Sequence, residues 1–169
     1  MALVLDGSLG VTFPVTAGSA SAVQASSGRV LQVVQGTLTS AVSTSSGSYV
    51  TTGLTSSITP SNTNNKILVS VAGGSLDNNA SGGQAVGVTL YRNGSVISPT
   101  ASLTVMYSGN TRVATPLAIN YLDSPASTSA QSYAVYFAST NNAGSVTFNS
   151  TSPAGQTQTA TITLMEIAA

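Results

Sequence analysis

The chain has 169 residues, enough for one domain with a real core, and 41% of them are hydrophobic, which excludes a disordered chain. Only 5% are charged, four Lys/Arg against four Asp/Glu, so a basic surface for nucleic acid or anionic lipid is excluded. His and Cys are absent, which removes the Ser-His-Asp triad, the Cys nucleophile, the imidazole base, a disulfide framework and the usual zinc ligands.

Residues 1–28 read as an N-terminal arm. Met1 to Leu5 is apolar but has no basic residue before it and is cut short by Asp6 and Gly7, so a signal peptide is not expected. Ser8 to Val15 reads as one short extended segment containing Pro14. Thr16 to Gly28 is almost entirely Ala, Ser, Gly and Gln, a linker composition. Leu3, Val4, Leu5, Val11, Phe13 and Val15 are the apolar residues this arm offers a partner. Backbone hydrogen bonds must also contribute, and adding a strand to a neighbour's sheet edge is the expected source.

From Arg29 to Ala169 strand signals alternate with turn signals. Arg29 to Gln35 is β-branched and is expected to stop at Gly36. Tyr49 to Pro60 is a longer strand, with Gly53 a bulge site. Lys66 to Ala72 is a compact buried strand, followed by a Gly/Asn-rich loop from Gly73 to Gly83. Gln84 to Arg92 runs into Asn93-Gly94 and then Ser95-Val96-Ile97, a two-residue hairpin, because both turn residues tolerate positive φ. Further strands are expected at Ser102 to Tyr107, Val113 to Leu122, Ser132 to Ala138, Ser145 to Asn149 and Thr159 to Ile167. In the last, Ile162, Leu164 and Glu166 alternate with Thr161, Thr163 and Met165. No segment carries a helical period. The fold class expected is all-β: an antiparallel β-sandwich or jelly roll at 29–169 behind an extended N-terminal arm.

The segments Arg29 to Gln35, Tyr49 to Leu54 with Ile58-Thr59-Pro60, Lys66 to Val69, Leu90-Tyr91-Arg92-Asn93-Gly94 and Ile162 to Ile167 recur, in that order, in a known group of proteins. The chain resembles the β-sandwich head domain of tail fibres, head fibres and capsid decoration proteins of tailed phages, cyanophages among them. Its opening, Ala2 to Gly7 with Gly10-Val11, is similar to the attachment segment of the same proteins. This resemblance implies a homotrimer of jelly rolls with a virion role. It carries over no catalytic residue, metal ligand or cofactor. No long shaft separates arm from head, which favours a domain mounted directly on a surface. The expected function is that of a capsid decoration (cement) protein bound to the major capsid protein on the virion surface and assembled in the host bacterial cytoplasm. The alternative is a short tail- or head-fibre protein whose head binds a host receptor, with a host surface glycan as partner.

Three other readings follow from the residues. Asp6, Asp77, Asp123 and Glu166 are the only carboxylates, and a polysaccharide-degrading enzyme would need two of them facing each other across a sugar; the plainer reading makes them surface or turn carboxylates. Tyr91, Tyr107, Tyr121, Tyr133 and Tyr136 could line a sugar-stacking platform, against the plainer reading of core and interface tyrosines. Asn79-Ala80-Ser81, Asn93-Gly94-Ser95 and Asn149-Ser150-Thr151 match the glycosylation acceptor pattern, at about the number that chance gives in a chain so rich in Ser and Thr.

Overall fold

The computed structural model describes residues 4–6, 10–12, 27–78, 84–97, 102–108, 112–140, 144–150 and 158–169. Every regular element among them is a strand: β1 (Val4–Asp6), β2 (Gly10–Thr12), β3 (Val30–Leu38), β4 (Val42–Thr44), β5 (Val50–Ile58), β6 (Lys66–Asp77), β7 (Gln84–Arg92), β8 (Ser95–Val96), β9 (Thr104–Ser108), β10 (Ala114–Asp123), β11 (Gln131–Ser139), β12 (Val146–Phe148) and β13 (Ala160–Ile167). All pairings are antiparallel.

The protein is an all-β sandwich. In the first sheet β6 is central. β10 runs along one of its edges, and β13 followed by β12 along the other; β3 lies outside β13 and β4 outside β12. In the second sheet β11 and β7 are central, with β5 outside β11 and β9 and β8 outside β7. Alternation explains the core. Val69 and Val71 of β6, Ile162 and Leu164 of β13 and Ile119 of β10 face Val88 and Leu90 of β7 and Val135 and Phe137 of β11, forming one buried cluster. Residues between them in sequence point outward.

The structure confirms the hairpin at Asn93-Gly94. Asn93 has φ 50° and Gly94 φ 81°, and Tyr91 pairs with Val96 across the turn. Asn93 also fastens the turn to β11: its N–H donates to Ser132 O and its Oδ1 accepts from the Ser132 N–H, each at 2.9 Å. A Cβ at position 94 would meet nothing within 4 Å, so a substitution there suffers backbone strain alone. Gly94→Val is therefore expected to cost about 1 kcal/mol or more, read as a lowered melting temperature. An unchanged melting temperature would put the turn elsewhere.

Three local expectations need correction. Gly36 does not end its strand: β3 runs on to Leu38, because a Cβ at Gly36 would sit 2.1 Å from Thr55 O of the facing sheet, and glycine lets the two edge strands close. Nor does the loop begin at Gly73, since β6 continues to Asp77. Gly73 and Gly74, with φ 78° and 65°, carry it through a register shift against β10 that a side chain would resist. Finally, β4 was not anticipated at all, whereas the extended segment expected at Ser8 to Val15 does contain a strand, β2, which pairs with β1. The bulge at Gly53 is present, as a register shift between β5 and β11.

Candidate interaction surface

The carboxylates locate the polar chemistry, and three of them are not the surface or turn groups the sequence suggested. Asp77, Asp123 and Glu166 are all buried, each satisfied by donors that the sequence places far away. Glu166 follows Ile162 and Leu164 on the inward side of β13. Its Oε2 accepts from Gln32 Nε2 at 2.6 Å. Its Oε1 accepts from the Ser61 N–H at 2.6 Å, the Ser61 hydroxyl at 2.7 Å and Asn65 Nδ2 at 2.6 Å. Burial raises its pKa, but the hydrogen bonds from Asn65, Gln32 and the Ser61 side chain and backbone outweigh burial and hold it at about 2.

Asp123 of β10 bridges the two sheets. Arg92 and Tyr133, cross-strand neighbours in the second sheet, both reach it: Arg92 as an ion pair and the Tyr133 hydroxyl as a donor at 2.8 Å. Burial first, then the Asp123 carboxylate, raises the Tyr133 phenol well above its ordinary pKa, so it stays a donor. Asp77, at the far end of β6, is gripped through both oxygens by Arg112.

In register, Asp123, Ile67, Glu166 and Gln32 form one inward-facing row. Asp123 and Glu166 are thus two strands apart, roughly 10 Å between backbones, with the Ile67 side chain between them. Both are already surrounded by donors from this chain. In this arrangement they act as clasps that hold the sandwich together.

The outward faces are a different kind of surface. On the first sheet, Val33, Met165, Leu68 and Leu122 are cross-strand partners in sequence, an apolar row spanning four strands. Val33 is 58% exposed and Leu122 51%, while Met165 and Leu68 are half-buried. The next row along the strands is Gln35, Thr163, Ser70 and Asn120, and the one after it Thr37, Thr161, Ala72 and Ala118. None of these three rows holds a charge. On the other side of the apolar row, Ile167 pairs with Lys66 and Val30, and exposed Val30 and Leu31 extend the apolar surface towards the arm.

The second sheet covers its own outward face with tyrosines. Tyr91 and Tyr136 stack with ring centroids 3.8 Å apart, flanking Thr89, which is buried although it points outward. Tyr49 lies over Gly87, where a Cβ would meet its hydroxyl at 2.7 Å, and hydrogen-bonds the Ser102 hydroxyl. Beyond these, Tyr107 is 67% exposed and Val105 55%.

No protein-family model matches this chain, and no curated protein matches it.

Of the five tyrosines read as a platform, the structure brings three, Tyr91, Tyr136 and Tyr107, to one face. Tyr133 is in the core, and half-buried Tyr121 donates to Ile97 O at 2.8 Å. Tyr49 joins the platform and was missed, because only the contact over Gly87 places it there. Among the arm residues, Val4 and Leu5 lie in β1 and Val11 in β2, while Leu3, Phe13 and Val15 lie outside the described residues, as do Asn79, Ala80, Ser81 and Thr151 of the acceptor patterns.

Proposed function

We propose that this chain is a non-enzymatic structural protein of a bacteriophage particle: a homotrimeric capsid decoration protein that binds the major capsid protein on the virion surface. The observation that carries the reading is the distribution of charge. Three of the four carboxylates are spent on intrachain clasps, and three successive outward rows of the first sheet hold hydroxyls, amides and an apolar band, with Lys66 in the row beyond. Such a face suits a surface lying against other subunits, where an unpaired charge is costly.

The strand order supports a jelly roll. β3-β13-β6-β10 lies over β5-β11-β7-β8/β9, so apart from the β7–β8 hairpin the neighbours in each sheet come from opposite halves of residues 29–169, as two interleaved Greek keys require. This is a rigid body able to tie neighbouring capsid subunits together. Contacts that exist only in the assembled shell stabilise it by mass action.

Light scattering of the purified protein and copy number in density of the intact particle test the proposal. A trimer present in many copies over the shell is expected. A monomer in both settings counts against it, and a few copies at the tail or a vertex favour the fibre alternative.

Within this reading the arm is the anchor. Burying its apolar side chains would contribute roughly 1.5–3 kcal/mol each, against about 1 kcal/mol or more per ordered backbone residue. The β1–β2 ladder meets part of the hydrogen bonding inside the arm itself, where sequence reasoning assigned it to a neighbour's sheet edge. Deleting residues 1–28 is expected to leave a soluble, folded sandwich that no longer binds particles. Undiminished binding of the truncated protein to empty shells would move the contact onto the sandwich.

A further inference from the structure

We infer that copies of this chain meet through the outward face of the β3-β13-β6-β10 sheet, around an axis running along its strands, with the Val33–Met165–Leu68–Leu122 row forming a shared apolar layer. This rests on the homotrimer reading above and names the surface that makes it.

The two outward faces are not equivalent. The tyrosine face is largely covered from within its own chain: Thr89 and Ala138 point outward yet are buried. Among the described residues the apolar row has no such cover, and its two ends, Val33 and Leu122, are more than half exposed. The face is four strands wide and about seven residues long, roughly 400 Å2 in projection. Its apolar part is the single Val33–Met165–Leu68–Leu122 row, which crosses all four strands and is most exposed at its two ends.

The occupant is argued from the layering. Apolar, amide/hydroxyl and Thr/Ala rows succeed one another along the strands, each at its own level across all four strands. Rotation about an axis parallel to the strands keeps every residue at its level. Apolar row then meets apolar row, and Gln35 and Asn120 meet the amides and hydroxyls of the next copy. A two-fold axis lying between the two faces and perpendicular to the strands, level with the middle row, would instead lay the apolar row on Thr37–Thr161–Ala72–Ala118. Only an axis along the strands matches all rows at once. Of the two edges, β3 has neither Pro nor charge along its nine residues, and β10 carries Pro116 well beyond the level of the apolar row.

In a closed ring Val33 of one copy lies near Leu122 of the next. Within one chain these residues are three strands apart, roughly 14 Å, too far for a disulfide. The chain has no cysteine of its own, so the background is clean. Val33→Cys/Leu122→Cys under mild oxidation is expected to give covalent trimers that stop at three copies, while either single variant stays uncrosslinked. Independently, Val33→Glu/Leu122→Glu is expected to shift the mass in solution from three copies to one with an unchanged circular dichroism spectrum. Val105→Glu/Tyr107→Glu, on the other sheet, should remain trimeric. If the glutamate variant does not fold, the cysteine pair decides. A wild-type trimer that neither crosslinks through this pair nor dissociates with the glutamates overturns this inference and leaves the proposed function standing. Self-crosslinking of Val33→Cys alone overturns the ring arrangement, and a wild-type monomer both in solution and in particles overturns both proposals.

Discussion

Glu166→Ala is expected to destabilise the sandwich by about 3 kcal/mol, the largest effect of any polar substitution in the described structure. The substitution takes the carboxylate from four donors: the Ser61 N–H and hydroxyl, Gln32 Nε2, which keeps Thr59 O at 2.7 Å, and Asn65 Nδ2, which keeps Ser61 Oγ at 3.3 Å. They come from β3 and from the segment between β5 and β6, and Asn65 in turn accepts from the Ala169 N–H at 3.2 Å. One carboxylate therefore fastens three stretches of chain at the end of the sandwich where Gly28 N–H donates to Ala168 O at 2.7 Å. Glu166→Gln should recover the shape and part of the stability. Its amide nitrogen, however, would point a donor at donors.

The same residue sets a pH dependence of defined sign. Its folded pKa, about 2, lies below the ordinary value of 4.5, so the charged form is favoured by folding. The stabilisation is complete above about pH 4.5 and is lost as pH falls towards 2. Its size is on the order of 2 kcal/mol once screening by the nearby solvent is allowed for. Urea unfolding of the wild type and Glu166→Gln across this range should show a gap that is constant near neutrality and narrows between pH 4.5 and 2. A gap that does not change with pH would mean that the carboxylate is not ionised in its pocket.

What the sequence made legible was local. Asn93-Gly94 encodes its turn in two residues, and β7 fell where its β-branched run placed it, because nothing distant competes there. The alternation Ile162, Leu164, Glu166 is in the sequence, yet Glu166 was read as a surface or turn carboxylate; its place in line with two core residues is the signal that a set of donors must exist. The identity of those donors was not readable: Gln32 lies 134 residues away and Ser61 105. Asp77 and Asp123 are similar, each ending a strand with a buried side chain whose arginine comes from another segment. Register is the other hidden quantity. Alternation assigns Val33, Leu68, Leu122 and Met165 to outward faces one by one, but only strand pairing aligns four distant segments at one level.

Gly36 shows the same limit with a larger consequence. Read locally, a glycine after a β-branched run is a stop; in the fold it is the point where β3 and β5, the edge strands of opposite sheets, come together. A Cβ there would lie 2.1 Å from Thr55 O, 3.1 Å from Thr55 C and 3.2 Å from Ile162 Cγ2. The nearest neighbour is backbone tied into the β5–β11 ladder, where Thr55 pairs with Ala134, so it cannot swing aside as a side chain would. Relief requires the edges to part by about 1 Å, which loosens Val34 and Leu38 against the core below them. Gly36→Ala is accordingly expected to cost about 3 kcal/mol or more, roughly a 10 °C fall in melting temperature. Gly36→Val should not fold to a stable sandwich. The φ of Gly36 is not in the left-handed region, so the whole penalty is steric, the reverse of Gly94, where strain acts in open space. Melting Gly36→Ala beside Gly94→Ala separates the two causes: the first should lose several times more stability than the second. A Gly36→Ala protein that melts within a degree or two of wild type would show that the two sheets do not close at this edge.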